Sequence, residues 1–184
     1  MSIELAPPTE LPGADDTRAW GQALAARLRA GDVVVLTGEL GAGKTTLTQG
    51  LADGLGVRGP ITSPTFVIAR VHPSLVGGPA LVHVDAYRLG GAPELDDLDL
   101  DASTQDSVTV VEWGHGLAEA LADSWLEVEL TRALADDPRP GNPHLQVPSP
   151  EDSNHLNHPN HLEDPSPEDP RVVRLVGHGP RWES

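Results

Sequence analysis

The chain of 184 residues has no cysteine at all. It can therefore form no disulfide and no thiolate metal site, a composition suited to a reducing compartment. Basic side chains are scarce, with 12 Lys and Arg against 28 Asp and Glu, for a formal charge of −16. Such a surface on average repels phosphate backbones, so a direct reader of DNA or RNA would need a clustered basic face. Contact with nucleic acid is expected to come through a partner, and no direct DNA binding is expected. Long apolar runs are missing too: no stretch approaches membrane-spanning length, and the start, Met1-Ser2-Ile3-Glu4-Leu5-Ala6-Pro7-Pro8, lacks a basic segment followed by an apolar one. The expectation is a soluble cytoplasmic protein, and the length suits one domain with a real core better than two.

What is present is concentrated in Thr37-Gly38-Glu39-Leu40-Gly41-Ala42-Gly43-Lys44-Thr45-Thr46. Gly38, Gly43, Lys44 and Thr45 fit G-x-x-x-x-G-K-[ST], a phosphate-binding loop whose backbone N–H groups wrap a nucleotide's phosphates. Lys44 would reach the β and γ oxygens, and Thr45 would offer its hydroxyl to Mg²⁺. The flanks match. Asp32-Val33-Val34-Val35-Leu36 reads as a buried parallel strand. Lys44 to Leu55 has helical spacing (Leu47, Leu51, Leu55) and closes at Gly56. A helix N-terminus with free N–H groups thus points at the phosphates.

Elsewhere, Met1 to Gly13 reads as Pro-rich and open, able to lie along an edge, and a helix is predicted from near Asp15-Asp16-Thr17 to Arg29. Strands are predicted at 67–72, 80–85, 108–113, 125–130 and 171–176, with short helices at 94–101 and 117–121. Two of these strands end in an acid, Asp85 and Glu112-Trp113. The resulting fold class is a single α/β domain of phosphate-loop NTPase type, with a mixed sheet flanked by helices and ligands gathered at the strands' carboxyl ends. Residues 133–170 differ in kind, holding nine of the 18 prolines and eight acids against Arg139 alone. That composition predicts a disordered, mobile insertion between the last two strands.

Three further signatures accompany the loop: Ser63-Pro64-Thr65-Phe66, His83-x-Asp85-x-Tyr87-Arg88-Leu89, and Glu112-Trp113. In this order and spacing the four resemble the TsaE (formerly YjeE) family over most of Ala14 to Leu130 and the last strand. The resemblance implies an ATPase required for threonylcarbamoylation of adenosine 37 in tRNA. Its partners would be the TsaD and TsaB proteins, which form the transfer enzyme reset by ATP hydrolysis and which would hold the tRNA.

The cofactors implied are ATP and Mg²⁺. Glu39, Gly41, Ala42, Gly43, Lys44, Thr45 and Thr46 would bind the phosphates, and loss of the Lys44 charge would remove most γ-phosphate stabilisation. Glu112 and Asp85, both acids at strand ends, are candidates for Mg²⁺ or the attacking water, and the residues alone do not separate them. Thr65 would sense the γ-phosphate. The family resemblance places adenine near Thr9, Glu10 and Leu11. The insertion is longer than the family's connection at that point.

Other readings stand beside this one. A small-molecule kinase would fit the loop and size, although no Arg-rich lid is visible, and a nucleotide-switched adaptor would need no turnover. His83 reads as a packed or exposed histidine, outside the catalytic set. The tract His155 to His161 is broken by Pro159, and Asp97-x-Asp99-x-Asp101 lacks the glycine and closing glutamate of a calcium loop.

Overall fold

In the computed structural model, residues 2–64, 68–88, 105–116, 121–133 and 170–183 are described. The elements run β1 (Ser2–Leu11), α1 (Ala14–Ala25), β2 (Val33–Thr37), α2 (Lys44–Leu55), β3 (Ala69–His72), β4 (Ala80–Asp85), β5 (Ser107–Glu112), β6 (Trp125–Arg132) and β7 (Arg171–His178). The seven strands form one sheet in the order β1-β7-β6-β2-β5-β4-β3. The centre, β6-β2-β5-β4, is parallel. Both margins are antiparallel, β3 against β4 on one side and β7 then β1 on the other.

Of the parallel strands, β2, β4 and β5 are buried on both faces, which is why they read as largely apolar runs, whereas in β6 buried and partly exposed positions alternate. On one face Val34, Leu36, Val108, Val110, Leu126 and Val128 pack with Leu24, Leu47 and Leu51 of the two helices. On the other, Val33 and Val35 pack with Leu121, Ala122 and Trp125. The helices lie very close. A Cβ at Gly50 would run into the carbonyl oxygen of Arg18, so that contact is open only to glycine.

Boundaries move where local chemistry demands. Helix α1 ends at Ala25 and not Arg29, because Arg27 and Leu28 bond back three residues, to Leu24 and Ala25, and Gly31 takes φ +90°. At its start, Asp16 accepts from the Gly13 N–H at 3.0 Å, the capping role expected of that acidic cluster. The amino-terminal segment lies along the sheet edge, as its sequence allows, and does so as a ten-residue strand. Its register on β7 shifts between Ala6 and Thr9, where Pro7 and Pro8 have no N–H to give the ladder. Strand β3 starts at Ala69 rather than Val67, since Ile68 has φ +72°. Helix α2 ends as expected, with Gly56 left-handed at φ 64°. The predicted helix at 94–101, most of that at 117–121, and all but the ends of the 133–170 insertion lie outside the described residues.

Candidate active site

Strand β2 feeds its loop into α2 through Gly43 at φ +103°, a conformation that a side chain strains. Lys44, the first residue of α2, is 5 % exposed. Its Nζ donates to the carbonyls of Gly38 (2.8 Å) and Glu39 (2.9 Å) and sits 3.8 Å from the centroid of the Trp113 ring. Burial lowers the Lys44 pKa, and the charges of Glu112 and Asp85 oppose that shift.

Parallel pairing sets the two acids side by side, because Asp85 at the end of β4 is the register partner of Glu112 at the end of β5. Both are buried. Thr45 Oγ1 donates to Glu112, 3.1 Å from Oε1 and 3.4 Å from Oε2. Asp85 accepts from Ser63 Oγ at 3.2 Å and from the Tyr87 N–H at 3.0 Å. Lys44, Thr45, Ser63, Asp85, Glu112 and Trp113 line one cleft of about 430 Å³. The donor set suits Mg²⁺, a hard cation held by one or two carboxylates and a hydroxyl with substrate phosphates completing the shell. Among the described residues, no group of three or more His, Asp or Glu forms a self-sufficient metal cage.

Backbone strain concentrates at the same place. The two non-glycine residues with positive φ among those described are Ile68 (72°) and Trp113 (62°). The Ile68 carbonyl accepts the Asp85 N–H at 2.8 Å, and the Trp113 N–H donates to Leu36 O at 3.1 Å. Each strained residue is thereby fastened beside one of the two acids.

The structure thus brings Glu39, Gly41, Ala42, Gly43, Lys44, Thr45, Thr46, Asp85 and Glu112 to one end of the sheet. Thr65 lies outside the described residues. Thr9 is exposed on β1 and bonds the Pro7 carbonyl, whereas Leu11 is 5 % exposed and packs in the main core. Leu11 pairs with Arg171, whose Nε donates to Ala42 O at 3.0 Å, so the end of β1 reaches the loop's neighbourhood.

Some functional candidates escaped the sequence reading. Arg132 and Arg171 both reach the Gly41 carbonyl, at 3.4 and 3.3 Å, clamping the loop from the β6–β7 margin. Nothing local in the sequence announces that contact. Ser63 lies in the Ser63-Pro64-Thr65-Phe66 signature, which by itself gives it no role. His83 carries no catalytic signal by itself, yet its two-residue spacing from Asp85 puts it on the same strand face.

A glycine-rich loop between a central parallel strand and a buried helix, with acids on the adjoining strand ends, defines a phosphate-loop nucleotide-binding protein. Comparison with known proteins narrows the class. The profile of the family described as threonylcarbamoyl adenosine biosynthesis protein TsaE matches residues 11–139, and the chain belongs to that family. The chain is similar to the tRNA threonylcarbamoyladenosine biosynthesis protein TsaE of Streptomyces coelicolor, 66 % identical over 120 residues, covering 65 % of this chain and 81 % of that one. It is 54 % identical to the Mycobacterium tuberculosis protein of that name over 136 residues (70 % and 81 % covered). The Bacillus subtilis counterpart is 40 % identical over 124 residues (67 % and 76 % covered). Among solved structures, the crystal structure of Bacillus subtilis YdiB superposes with a TM-score of 0.65 at 28 % identity, covering 100 % of this chain and 91 % of that one. No helix among the described residues is long and apolar enough to cross a membrane.

Proposed function

We propose that the protein is a Mg²⁺-dependent ATP hydrolase that serves threonylcarbamoylation of adenosine 37 in tRNA, resetting a TsaD–TsaB transfer complex between turnovers. The observation that carries this reading is the convergence of Lys44, Thr45 and Glu112 in one cleft, in a chain whose relatives are named for that biosynthesis. The loop's backbone N–H groups bind the phosphates. Lys44 exchanges two carbonyl bonds for phosphate oxygens, and its buried ammonium acts with little screening by water. Thr45 and Glu112 would hold Mg²⁺, which would supply charge neutralisation for phosphoryl transfer.

Asp85 is assigned to orienting the attacking water, a reading supported by the way Ser63 and the Tyr87 N–H hold its carboxylate. Thr65 is assigned to sensing the γ-phosphate, and Thr9 and Leu11 to the adenine end. Residues 133–170 are read as an insertion within this single domain, and the compartment as the cytoplasm. The partners would carry the tRNA, in keeping with the charge of −16 on this chain.

The test is ATP hydrolysis with Mg²⁺, alone and with the TsaB–TsaD pair. The expected result is a low basal rate raised by the pair and reduced about 10²–10³-fold in Lys44→Ala and Glu112→Ala. If ATP binds but the pair neither binds nor stimulates, the partnership is wrong. Phosphate appearing on a metabolite rather than free would identify a kinase instead.

A further inference from the structure

A fully buried polar side chain beside the cleft has no role in any step above. His83 on β4 is 0 % exposed, and strand alternation places it on the same face as Asp85. Its Nε2 lies 2.8 Å from Glu112 Oε1. Its Nδ1 is buried and has no hydrogen-bond partner among the described residues. A carboxylate oxygen accepts, so the ring hydrogen belongs on Nε2, and the bare Nδ1 is left in the core. The contact is directed at one oxygen: Oε1 receives both His83 and Thr45, while among the described residues Oε2 has the longer 3.4 Å contact to Thr45.

We propose that His83 is a positioning residue for the metal ligand: from inside the sheet it fixes the rotamer and carboxylate plane of Glu112, so that the acid meets a divalent cation beside Thr45 without reorganising. The inference rests on the assignment of Glu112 to Mg²⁺ made above. A glutamate has three rotatable side-chain bonds, and at a strand end only its partners select among them. Outer partners of metal ligands do this work generally, and their loss weakens metal binding while leaving the ligand in place. The role is thermodynamic and specific. His83 contributes to the coupling between metal and nucleotide, and not to the affinity of the phosphate loop itself.

The test measures by calorimetry the affinity of a non-hydrolysable ATP analogue, with and without MgCl₂, for wild type, His83→Leu, His83→Gln and Glu112→Gln. The factor by which Mg²⁺ tightens binding is expected to fall about 10- to 100-fold in His83→Leu. Affinity without metal is expected to stay at the wild-type value in the His83 variants. His83→Gln carries an amide N–H near the position of Nε2 and is expected to retain most of the coupling. Should the leucine variant not fold, His83→Asn replaces it, because its shorter amide falls at the place of Nδ1 and offers Glu112 nothing.

Wild-type coupling in the variant lacking the donor would reduce His83 to packing and overturn the proposal, as would a loss in His83→Gln as large as in His83→Leu. Coupling that is absent in wild type, or survives in Glu112→Gln, would instead remove the metal assignment on which the proposal rests.

Discussion

The centre and the margins of this sheet are built on different rules. In β2, β4 and β5 nearly every residue is buried, and the strands end in a phosphate loop, Asp85 and Glu112. In β6 and β7 buried and partly exposed positions alternate, β3 is short, and β1 is largely exposed. Strands β2, β4 and β5 are covered on both faces, so polar side chains within them, such as Thr109, are few, and the acids stand at the carboxyl ends, where the backbone stops pairing and side chains project into the cleft. The antiparallel margins have a solvated face and can take prolines, a register shift and a long insertion. Chemistry sits where the sheet is least free to vary, and idiosyncrasy sits where it is most free.

Cutting the same side chain in both regions sharpens that contrast most. Leu36→Ala, at a fully buried site in β2, is expected to cost about 2–5 kcal/mol in denaturant unfolding. Leu75→Ala, 62 % exposed beyond β3, is expected to stay within about 0.5 kcal/mol. Equal losses would mean that the margin is as tightly packed as the centre.

A smaller effect is expected at the other margin, on the reading of 133–170 as an insertion with no core of its own. The Ala133 N–H bonds Pro170 O at 2.9 Å, so the ladder closes just where the segment leaves and returns. Replacing residues 134–169 by a short turn is expected to raise stability by roughly 1–2 kcal/mol, since each halving of a loop saves about 0.6 kcal/mol of closure entropy. Nucleotide affinity is expected to be unchanged. A loss of stability would show that the segment packs on the domain.

The smallest effect is one of pH. His72, at the end of β3, donates from Nδ1 to Arg58 O at 3.0 Å, and its Nε2 is buried without a partner among the described residues. Burial pushes its pKa below the ordinary 6.5, the Arg58 carbonyl opposes that, and the positive charge of Arg70 adds to it. The unfolded chain therefore binds the proton more readily, and stability is lost as pH falls through 6.5 toward the lowered value. His72→Asn preserves the donor to Arg58 and is expected to flatten this part of the pH–stability profile. An unchanged slope would exonerate His72.

The same division governs what the sequence could disclose. The valine runs of β2, β4 and β5 and the glycine spacing of the loop are local patterns, and they led directly to the strands, the cleft and the acids Asp85 and Glu112. Strand β1 was legible as an open edge segment and not as a strand, because Pro7 and Pro8 interrupt its pattern, and an edge strand absorbs them with a register shift. The clamp of Arg132 and Arg171 on Gly41 joins residues about ninety and one hundred and thirty positions away from the loop, a distance at which no periodicity speaks. His83 was ambiguous for another reason: a buried histidine earns its meaning from its partner, and only pairing of β4 with β5 brings Glu112 to it.

The left-handed residues Ile68 and Trp113 carry a consequence for how this protein can evolve. Each conformation costs on the order of 1–3 kcal/mol, and isoleucine, being β-branched, is among the residues least suited to it. A chain selected for stability alone would place glycine or asparagine there. Holding Asp85 and Glu112 at their stations thus sets durability against readiness, so gains in robustness should be easier to find at the margins of the sheet than at these two positions.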